Sequence, residues 1–156
     1  MAIVEGKPAP AFSLEDAAGK SVSLGDFAGK HVILYFYPKD DTPGCTKEAC
    51  GFRDAWKAIQ KLDAVVIGVS PDAGPSHQKF AARYKLPFPL LSDPDKKVMT
   101  KYGAWGEKMM YGKKKLGVIR STVWIGPAGE VRKHWKKVAS AEAHPEQVLA
   151  ALQAAT

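Results

Sequence analysis

The sequence predicts an α/β fold, and two apolar runs joined by a helical pattern indicate it. The run His31–Tyr37 is nearly all β-branched, aliphatic or aromatic, as expected of a strand that is buried on both faces. A helical pattern from about Pro43 to Leu62 follows, and then a second apolar run, Ala64–Val69. Such a strand–helix–strand unit implies two parallel strands with a right-handed crossover. At 156 residues, the chain is predicted to be one domain spanning residues 1–156.

A short β-hairpin is predicted ahead of this unit. The segments Ala11–Leu14 and Ser21–Leu24 flank the turn-forming residues 16–20. Residues 25–30 then read as a turn or a single helical turn. The hairpin would extend the sheet at its N-terminal end.

Three shorter elements are expected after the second parallel strand. A helix is predicted over about Ser76–Tyr84. Phe88–Ser92 resembles a short edge strand, because its proline cannot donate to a sheet ladder. Asp93-Pro94 is interpreted as the start of a further helix, which Gly103 ends.

The C-terminal third contains one segment without a clear pattern. Trp105–Gly117 receives no assignment, and three of its side chains fit either the core or a surface groove: Met109, Met110 and Tyr111. Val118–Ile125 and Glu130–Trp135 flank a Gly-Pro-Ala-Gly turn and predict a hairpin. Pro145 opens the last helix.

Composition narrows the class of protein. The chain is 46% hydrophobic and 25% charged, with a net charge of +7. Its lysines are spread along the chain, and only Lys113–Lys115 forms a run, so we interpret the charge as serving solubility and predict no nucleic-acid binding. No apolar run is long enough to span a membrane, and residues 1–5 do not resemble a signal peptide. With only two cysteines, a disulfide scaffold is excluded and a cytoplasmic location is favoured.

Cys45 lies where the predicted helix begins. Thr42 is a suitable N-cap, and Pro43 suits the first helical position. Cys45 then falls in the first turn, beside free backbone N–H groups and the positive end of the helix dipole. These surroundings favour the thiolate, which is the nucleophilic form. The alternative is a buried, inert cysteine.

Cys50 follows Cys45 by five residues. In a helix this separation is about 500° of rotation and about 7.5 Å of rise, which points the two side chains about 140° apart. A disulfide needs Cα atoms within about 7 Å. The two cysteines can therefore pair only if the first turns of the helix unwind, which is a hypothesis about a redox switch.

Pro38, Thr42 and Cys45 together form the pattern Pro-x-x-x-Thr-x-x-Cys. This pattern resembles the active-site signature of the peroxiredoxin family. The longer string from Phe36 to Cys50 is similar to the PrxQ, or bacterioferritin comigratory protein, subfamily. The resemblance implies a thioredoxin-like fold, here with an N-terminal β-hairpin extension.

The resemblance also implies a role for five residues. Cys45 corresponds to the peroxidatic cysteine and Cys50 to the resolving cysteine. The family's threonine, here Thr42, orients the peroxide, and its proline, here Pro38, limits water access. Arg120 resembles the family's strand-borne arginine beside the thiolate. Without the resemblance, Cys50 would be interpreted as a bystander cysteine and Thr42 as a helix cap. Pro38 would be interpreted as a strand terminator and Arg120 as a surface arginine.

The implied activity is reduction of hydrogen peroxide and small organic hydroperoxides, with recycling by thioredoxin or a glutaredoxin-like donor. The subfamily implies a monomer. No cofactor is expected, because no phosphate-binding glycine loop is present. No metal is expected either, because the four histidines lack metal-ligand spacing with the cysteines: His31, His77, His134 and His144.

Two other functions remain open from the sequence. A thioredoxin-fold disulfide oxidoreductase would use the same cysteines, although such enzymes usually carry Cys-x-x-Cys. A non-enzymatic redox sensor or chaperone would use Cys45 oxidation to expose helix residues such as Phe52 and Trp56 to a partner.

Overall fold

The α/β prediction is confirmed by a computed structural model, which describes residues 3–155 except the side chain of Met110. The helices are, in chain order, a 3-10 helix Leu24–Phe27, α1 Pro43–Lys61, α2 Gly74–Tyr84, α3 Lys97–Lys101 and α4 His144–Ala154. The strands are β1 Ser13–Asp16, β2 Ser21–Ser23, β3 His31–Phe36, β4 Ala64–Ser70, β5 Leu90–Ser92, β6 Trp105–Met110, β7 Lys113–Val118, β8 Ser121–Ile125 and β9 Val131–Trp135.

Seven of these strands form one sheet, in the order β2-β1-β5-β4-β3-β8-β9. β3 pairs in parallel with β4, as predicted, and antiparallel with β8. β3 is therefore an inner strand, and the loop that follows it emerges at its carboxyl end. In open α/β sheets, sites commonly form at this edge.

The side chains of β3 alternate between two hydrophobic cores. Val32, Leu34 and Phe36 belong to the core on one face of the sheet. Ile33 and Tyr35 belong to the core on the other face, which α1, α2 and α4 cover. The continuous apolar run of this strand follows from its burial on both faces.

The predicted N-terminal hairpin is present, but the prediction that residues 88–92 form an edge strand is wrong. β5 lies between β4 and β1, where Glu15 pairs with Ser92 and Asp16 with Leu91. Pro89 precedes the paired strand, and its carbonyl accepts a hydrogen bond from the N–H of Gly68. The proline therefore does not interrupt the ladder, and the N-terminal hairpin covers what would have been an edge.

The predicted start of the third helix is also wrong. Lys96 adopts a left-handed conformation with φ of 58°, and α3 begins only at the next residue. Pro94 therefore lies in the turn before the helix. Asp93 still caps the helix, because its carboxylate accepts the backbone N–H of Met99 at 2.8 Å.

The unassigned segment is a hairpin outside the main sheet. β6 and β7 pair antiparallel across Tyr111 and Gly112, which both have positive φ. Met109 and Tyr111 are exposed, whereas the side chain of Met110 lies outside the described residues. The predicted strand 118–125 is consequently divided: Val118 ends β7 and β8 begins three residues later.

Gly51 marks the place where α4 packs most closely on α1. A Cβ atom on Gly51 would lie 2.6 Å from Cγ of Pro145. The proline ring is rigid and stands at the start of α4, so it cannot move aside alone. Glycine is required here because the two helices approach so closely.

We expect Gly51→Ala to lower the free energy of unfolding. Helix propensity alone would raise stability by up to about 1 kcal/mol, but overpacking of a tight contact typically costs about 1–3 kcal/mol. Urea denaturation measures the net effect. Gly25→Ala is the matched control, because a Cβ atom there meets nothing within 4 Å. A more stable Gly51→Ala protein would contradict the packing argument.

Candidate active site

The site forms where α1 begins, at the carboxyl edge of the sheet. Ser121 at the start of β8 pairs with Phe36 at the end of β3. Arg120, which directly precedes β8, is therefore held at the same edge as the loop leading into α1. Arg120 Nη2 donates a hydrogen bond to Cys45 Sγ at 3.2 Å. The structure thus brings together two predicted site residues that are 75 positions apart in the chain.

Cys45 is the third residue of α1 and is 1% exposed. The first N–H groups of a helix have no intrahelical acceptor, and the helix dipole places positive charge at this end. Gly44 allows the guanidinium to approach, because a Cβ atom there would lie 3.2 Å from Arg120 Nη2. The helix terminus and the guanidinium both favour a negative charge on the Cys45 sulfur.

Glu48 completes the charged cluster and was missed by the sequence reasoning. It lies one helical turn after Cys45, is fully buried, and its Oε1 accepts from Arg120 Nη1 at 2.7 Å. Burial raises the pKa of Glu48 to about 7, although the charge of Arg120 opposes this rise. Burial by itself would lower the pKa of Arg120, but the charges of Glu48 and Cys45 raise it above its ordinary value. The spacing of Glu48 and Cys45 on one helical face was the available signal.

Thr42 occupies the predicted N-cap position with an extended backbone, but its side chain does not cap the helix. The hydroxyl instead donates to the backbone carbonyl of Lys39 at 2.9 Å. The proton of the hydroxyl is therefore engaged in the loop, while the oxygen keeps lone pairs that can accept a hydrogen bond. Pro38 lies in the same loop, half-buried, two residues after β3 ends.

Cys50 lies in α1 beyond the charged cluster and is half-buried. Both cysteines are free thiols in an intact helix. Cys50 lines a groove between α1 and α4 together with Lys47, Asp54 and Glu142. It is therefore more accessible than Cys45.

Replacing Glu48 by glutamine tests its buried carboxyl group. The pKa of Glu48 is about 7 in the folded protein against 4.5 in an unfolded chain, so the folded state holds the proton more tightly. The stability linked to this proton is present below pH 4.5 and is lost as the pH rises through 7, a loss on the order of 3 kcal/mol.

We therefore expect the free energy of unfolding of the wild-type protein to fall across this window relative to that of Glu48→Gln, whose amide stays neutral. Urea unfolding of both proteins at several pH values gives the difference. The difference between the two proteins also removes pH-dependent contributions that both share. One of these comes from His144, because burial lowers the pKa of this side chain to about 4. Parallel stability curves for the two proteins would show that Glu48 does not titrate in this window.

Comparison with known proteins identifies the family of this chain. The family model described as AhpC/TSA matches residues 5–134. Peroxiredoxin Bcp of Bacillus subtilis is 46% identical over 138 residues, which cover 88% of each chain. No helix among residues 3–155 is long and apolar enough to cross a membrane.

Two solved structures show the same thioredoxin-like peroxiredoxin fold over nearly the whole chain. One is the bacterioferritin comigratory protein of Xanthomonas campestris, studied for its alkyl peroxide reduction activity, with a TM-score of 0.89, 38% identity and coverage of 97% of this chain and 99% of that one. The other is PrxQ of Xylella fastidiosa, with a TM-score of 0.91, 32% identity and coverage of 98% and 97%. The chain belongs to the AhpC/TSA family and, within it, to the PrxQ/Bcp peroxiredoxins, enzymes that reduce peroxides.

Proposed function

We propose that Cys45 is the peroxidatic cysteine of this enzyme. Its thiolate attacks the terminal oxygen of a hydroperoxide, so that an S–O bond forms while the O–O bond breaks. The leaving oxygen takes a proton and departs as water or an alcohol, and Cys45 becomes a sulfenic acid. The observation that carries this proposal is the 3.2 Å contact between the Arg120 guanidinium and the Cys45 sulfur at a helix N-terminus.

Arg120 and Thr42 supply complementary interactions for the substrate in this proposal. The fixed donors of the guanidinium stabilise negative charge on the sulfur and on the departing oxygen. The free lone pairs of the Thr42 hydroxyl accept the O–H of the hydroperoxide. Pro38 limits the access of water from the loop side. Hydrogen peroxide and alkyl hydroperoxides both fit this chemistry, and the Xanthomonas relative is described as reducing alkyl peroxides.

Cys50 is proposed as the resolving cysteine. Its thiolate attacks the sulfur of the Cys45 sulfenic acid, so that an S–S bond forms while the S–O bond breaks. The departing hydroxide takes up a proton and leaves as water, and the product is an intramolecular disulfide. Intact helical geometry separates the two side chains, so the first turns of α1 must unwind. The residues there support this step, because Gly44 and Thr46 are weak helix formers.

The remaining parts of the proposal follow the subfamily. Thioredoxin or a glutaredoxin-like dithiol reduces the disulfide and is itself oxidised to a disulfide. The enzyme acts as a monomer in the cytoplasm, and residues 1–156 form one thioredoxin-like domain. Disulfide exchange with proteins and redox sensing are the competing functions. A disulfide exchanger does not need an arginine held against the more buried cysteine. A sensor would be oxidised in the same way, but it would not turn over rapidly with a thiol reductant.

Reaction with one equivalent of hydrogen peroxide tests the roles of the two cysteines, and multiple turnover with thioredoxin separates a peroxidase from a redox sensor. We expect the wild-type protein to lose both thiols rapidly and form one Cys45–Cys50 disulfide within the monomer. Cys50→Ser should stop at a sulfenic acid that dimedone traps, and Cys45→Ser should not react at a comparable rate. Stopped-flow fluorescence of Trp56 and mass spectrometry follow the reaction. Oxidation of Cys45 only at the rate of free cysteine would reject the peroxidase assignment, and normal thioredoxin-linked turnover by Cys50→Ser would reject the resolving role.

The contribution of Arg120 is best measured in a Glu48→Gln background, because removing the arginine alone leaves a buried carboxylate unpaired. We expect Arg120→Met in that background to slow Cys45 oxidation by hydrogen peroxide about 100-fold, the usual effect of losing one transition-state donor. Glu48→Gln alone is the matched control. A double variant as fast as this control would show that Arg120 does not act on the reaction.

A further inference from the structure

A buried hydrogen-bond network lies directly behind the loop that carries Pro38 and Thr42. Its centre is Asp40, which is 8% exposed. One oxygen of this carboxylate accepts the hydroxyl of Tyr37 at 2.5 Å. The other oxygen accepts the hydroxyl of Ser76 at 2.8 Å and lies 2.7 Å from Nδ1 of His77, which is fully buried.

The positions of the protons in this network follow from its acceptors. His77 Nε2 lies 3.0 Å from the backbone carbonyl of Leu91. A carbonyl can only accept, so Nε2 carries a hydrogen and donates. One further proton then lies between His77 Nδ1 and Asp40. Both ring nitrogens of His77 are thus engaged, and the imidazole can occupy only one orientation.

The network also holds the backbone of the loop. The N–H of Asp40 donates to the Asp72 carboxylate at 2.7 Å, and Asp72 in turn accepts the hydroxyl of Ser70 at 2.8 Å. Asp40, Asp72 and His77 lie close enough to share a metal ion, but their ligand atoms already have these hydrogen-bond partners. The side chain and the backbone of one loop residue are therefore fixed to α2 and to the end of β4.

This anchoring reaches Thr42 through its neighbours. The carbonyl that accepts the Thr42 hydroxyl belongs to Lys39, the residue next to Asp40. Fixing Asp40 therefore fixes the acceptor that orients the Thr42 hydroxyl. Cys45, by contrast, is held by α1 and by Arg120, which make no contact with this network among the hydrogen bonds of the described residues.

We propose that Asp40 and His77 are positioning residues for the peroxidase reaction, which hold residues 38–42 so that the Thr42 oxygen meets the hydroperoxide at Cys45. They do not touch the reacting atoms. The proposal rests on the proposed roles of Thr42 and Cys45. It predicts that loss of the network damages the reaction with peroxide while leaving the intrinsic reactivity of the Cys45 thiolate unchanged.

Two reagents separate these effects. Hydrogen peroxide needs both Cys45 and a correctly placed Thr42, whereas iodoacetamide needs the thiolate and access to it but not the Thr42 hydroxyl. We expect His77→Leu to slow Cys45 oxidation by peroxide about ten- to 100-fold, because small misplacements in a reactive geometry have effects of this size. Alkylation of Cys45 by iodoacetamide in a Cys50→Ser background should stay within about twofold of the unsubstituted rate, since the helix terminus and Arg120 are untouched.

A conservative variant provides the rescue. In Asp40→Asn, the amide nitrogen can donate to His77 Nδ1 and to the Ser76 hydroxyl while the amide oxygen accepts from Tyr37, so each side-chain bond of residue 40 is retained, with the bond to Ser76 reversed in direction. We expect nearly wild-type oxidation by peroxide. Ser76→Ala, which removes a single bond, should give a smaller selective loss and serves if His77→Leu does not fold.

Arg83→Ala is the matched control for α2. It breaks the exposed ion pair between Arg83 and Asp41 in the same loop, and such surface pairs contribute little. We expect no change with either reagent. The positioning role is overturned if His77→Leu, or Ser76→Ala in its place, oxidises at the wild-type rate, or if peroxide and iodoacetamide rates fall together. Slow peroxide oxidation of the wild-type protein would instead reject the proposed function itself.

Discussion

The contact of one partly buried guanidinium with two acidic groups is the interaction on which the site depends. Arg120 binds the sulfur of Cys45 through one nitrogen and the carboxyl of Glu48 through another. A single positive charge cannot fully compensate two buried negative charges. The raised pKa of Glu48, about 7, relieves this imbalance, because Glu48 can take up a proton near neutral pH. A thiolate at Cys45 and a protonated Glu48 together leave the cluster with no net charge.

The fold holds Arg120 in place through its backbone. The carbonyl of Arg120 accepts a hydrogen bond from the N–H of Val138 at 2.8 Å, and the N–H of Ile119 donates to the carbonyl of Ala104 at 2.7 Å. These bonds hold the short link between β7 and β8 from both sides. A long, flexible side chain normally loses much rotamer freedom when it is fixed at one point. Here the backbone hydrogen bonds and the two acidic partners together fix Arg120, so the guanidinium can face the sulfur before a substrate binds.

The sequence predicted the parts of this site that local patterns determine. β3, α1 and the place of Cys45 follow from a buried apolar run and from helix-start residues that are adjacent in the chain. Arg120 could be assigned only by resemblance, because nothing near it in the sequence indicates a partner 75 positions away. Glu48 was missed because an acidic residue on a helix is usually solvent-exposed. Its spacing from Cys45 indicates a shared helical face, but its burial is explained by the distant arginine.

The misplaced edge strand and the unassigned segment 105–117 also have a non-local cause. β5 reads as an edge strand because its inner position depends on β1, a strand more than 70 residues earlier. The β6–β7 hairpin is rich in lysine and lacks an Asn-Gly or Asp-Gly turn, so it carries neither the alternation nor the turn signal of a hairpin. In both cases the strand's place depends on which strand it pairs with, and the composition of a single strand does not indicate its partner.

The two halves of α1 make different contacts, and this difference bears on the proposed unwinding of its first turns. Beyond Cys50, the close packing of Gly51 on Pro145 ties α1 to α4, and Arg53 donates to the carbonyl of Tyr84 in α2 at 2.8 Å. Before Cys50, the helix contains the poor helix formers Gly44 and Thr46. Its contacts there are the core packing of Cys45 and Ala49 and the Arg120 cluster. Formation of a sulfenic acid removes the thiolate charge from that cluster and so weakens one of its two contacts. The proposed unwinding would then stop at the anchored half, which leaves Cys50 at the boundary, beside the segment that must move towards it.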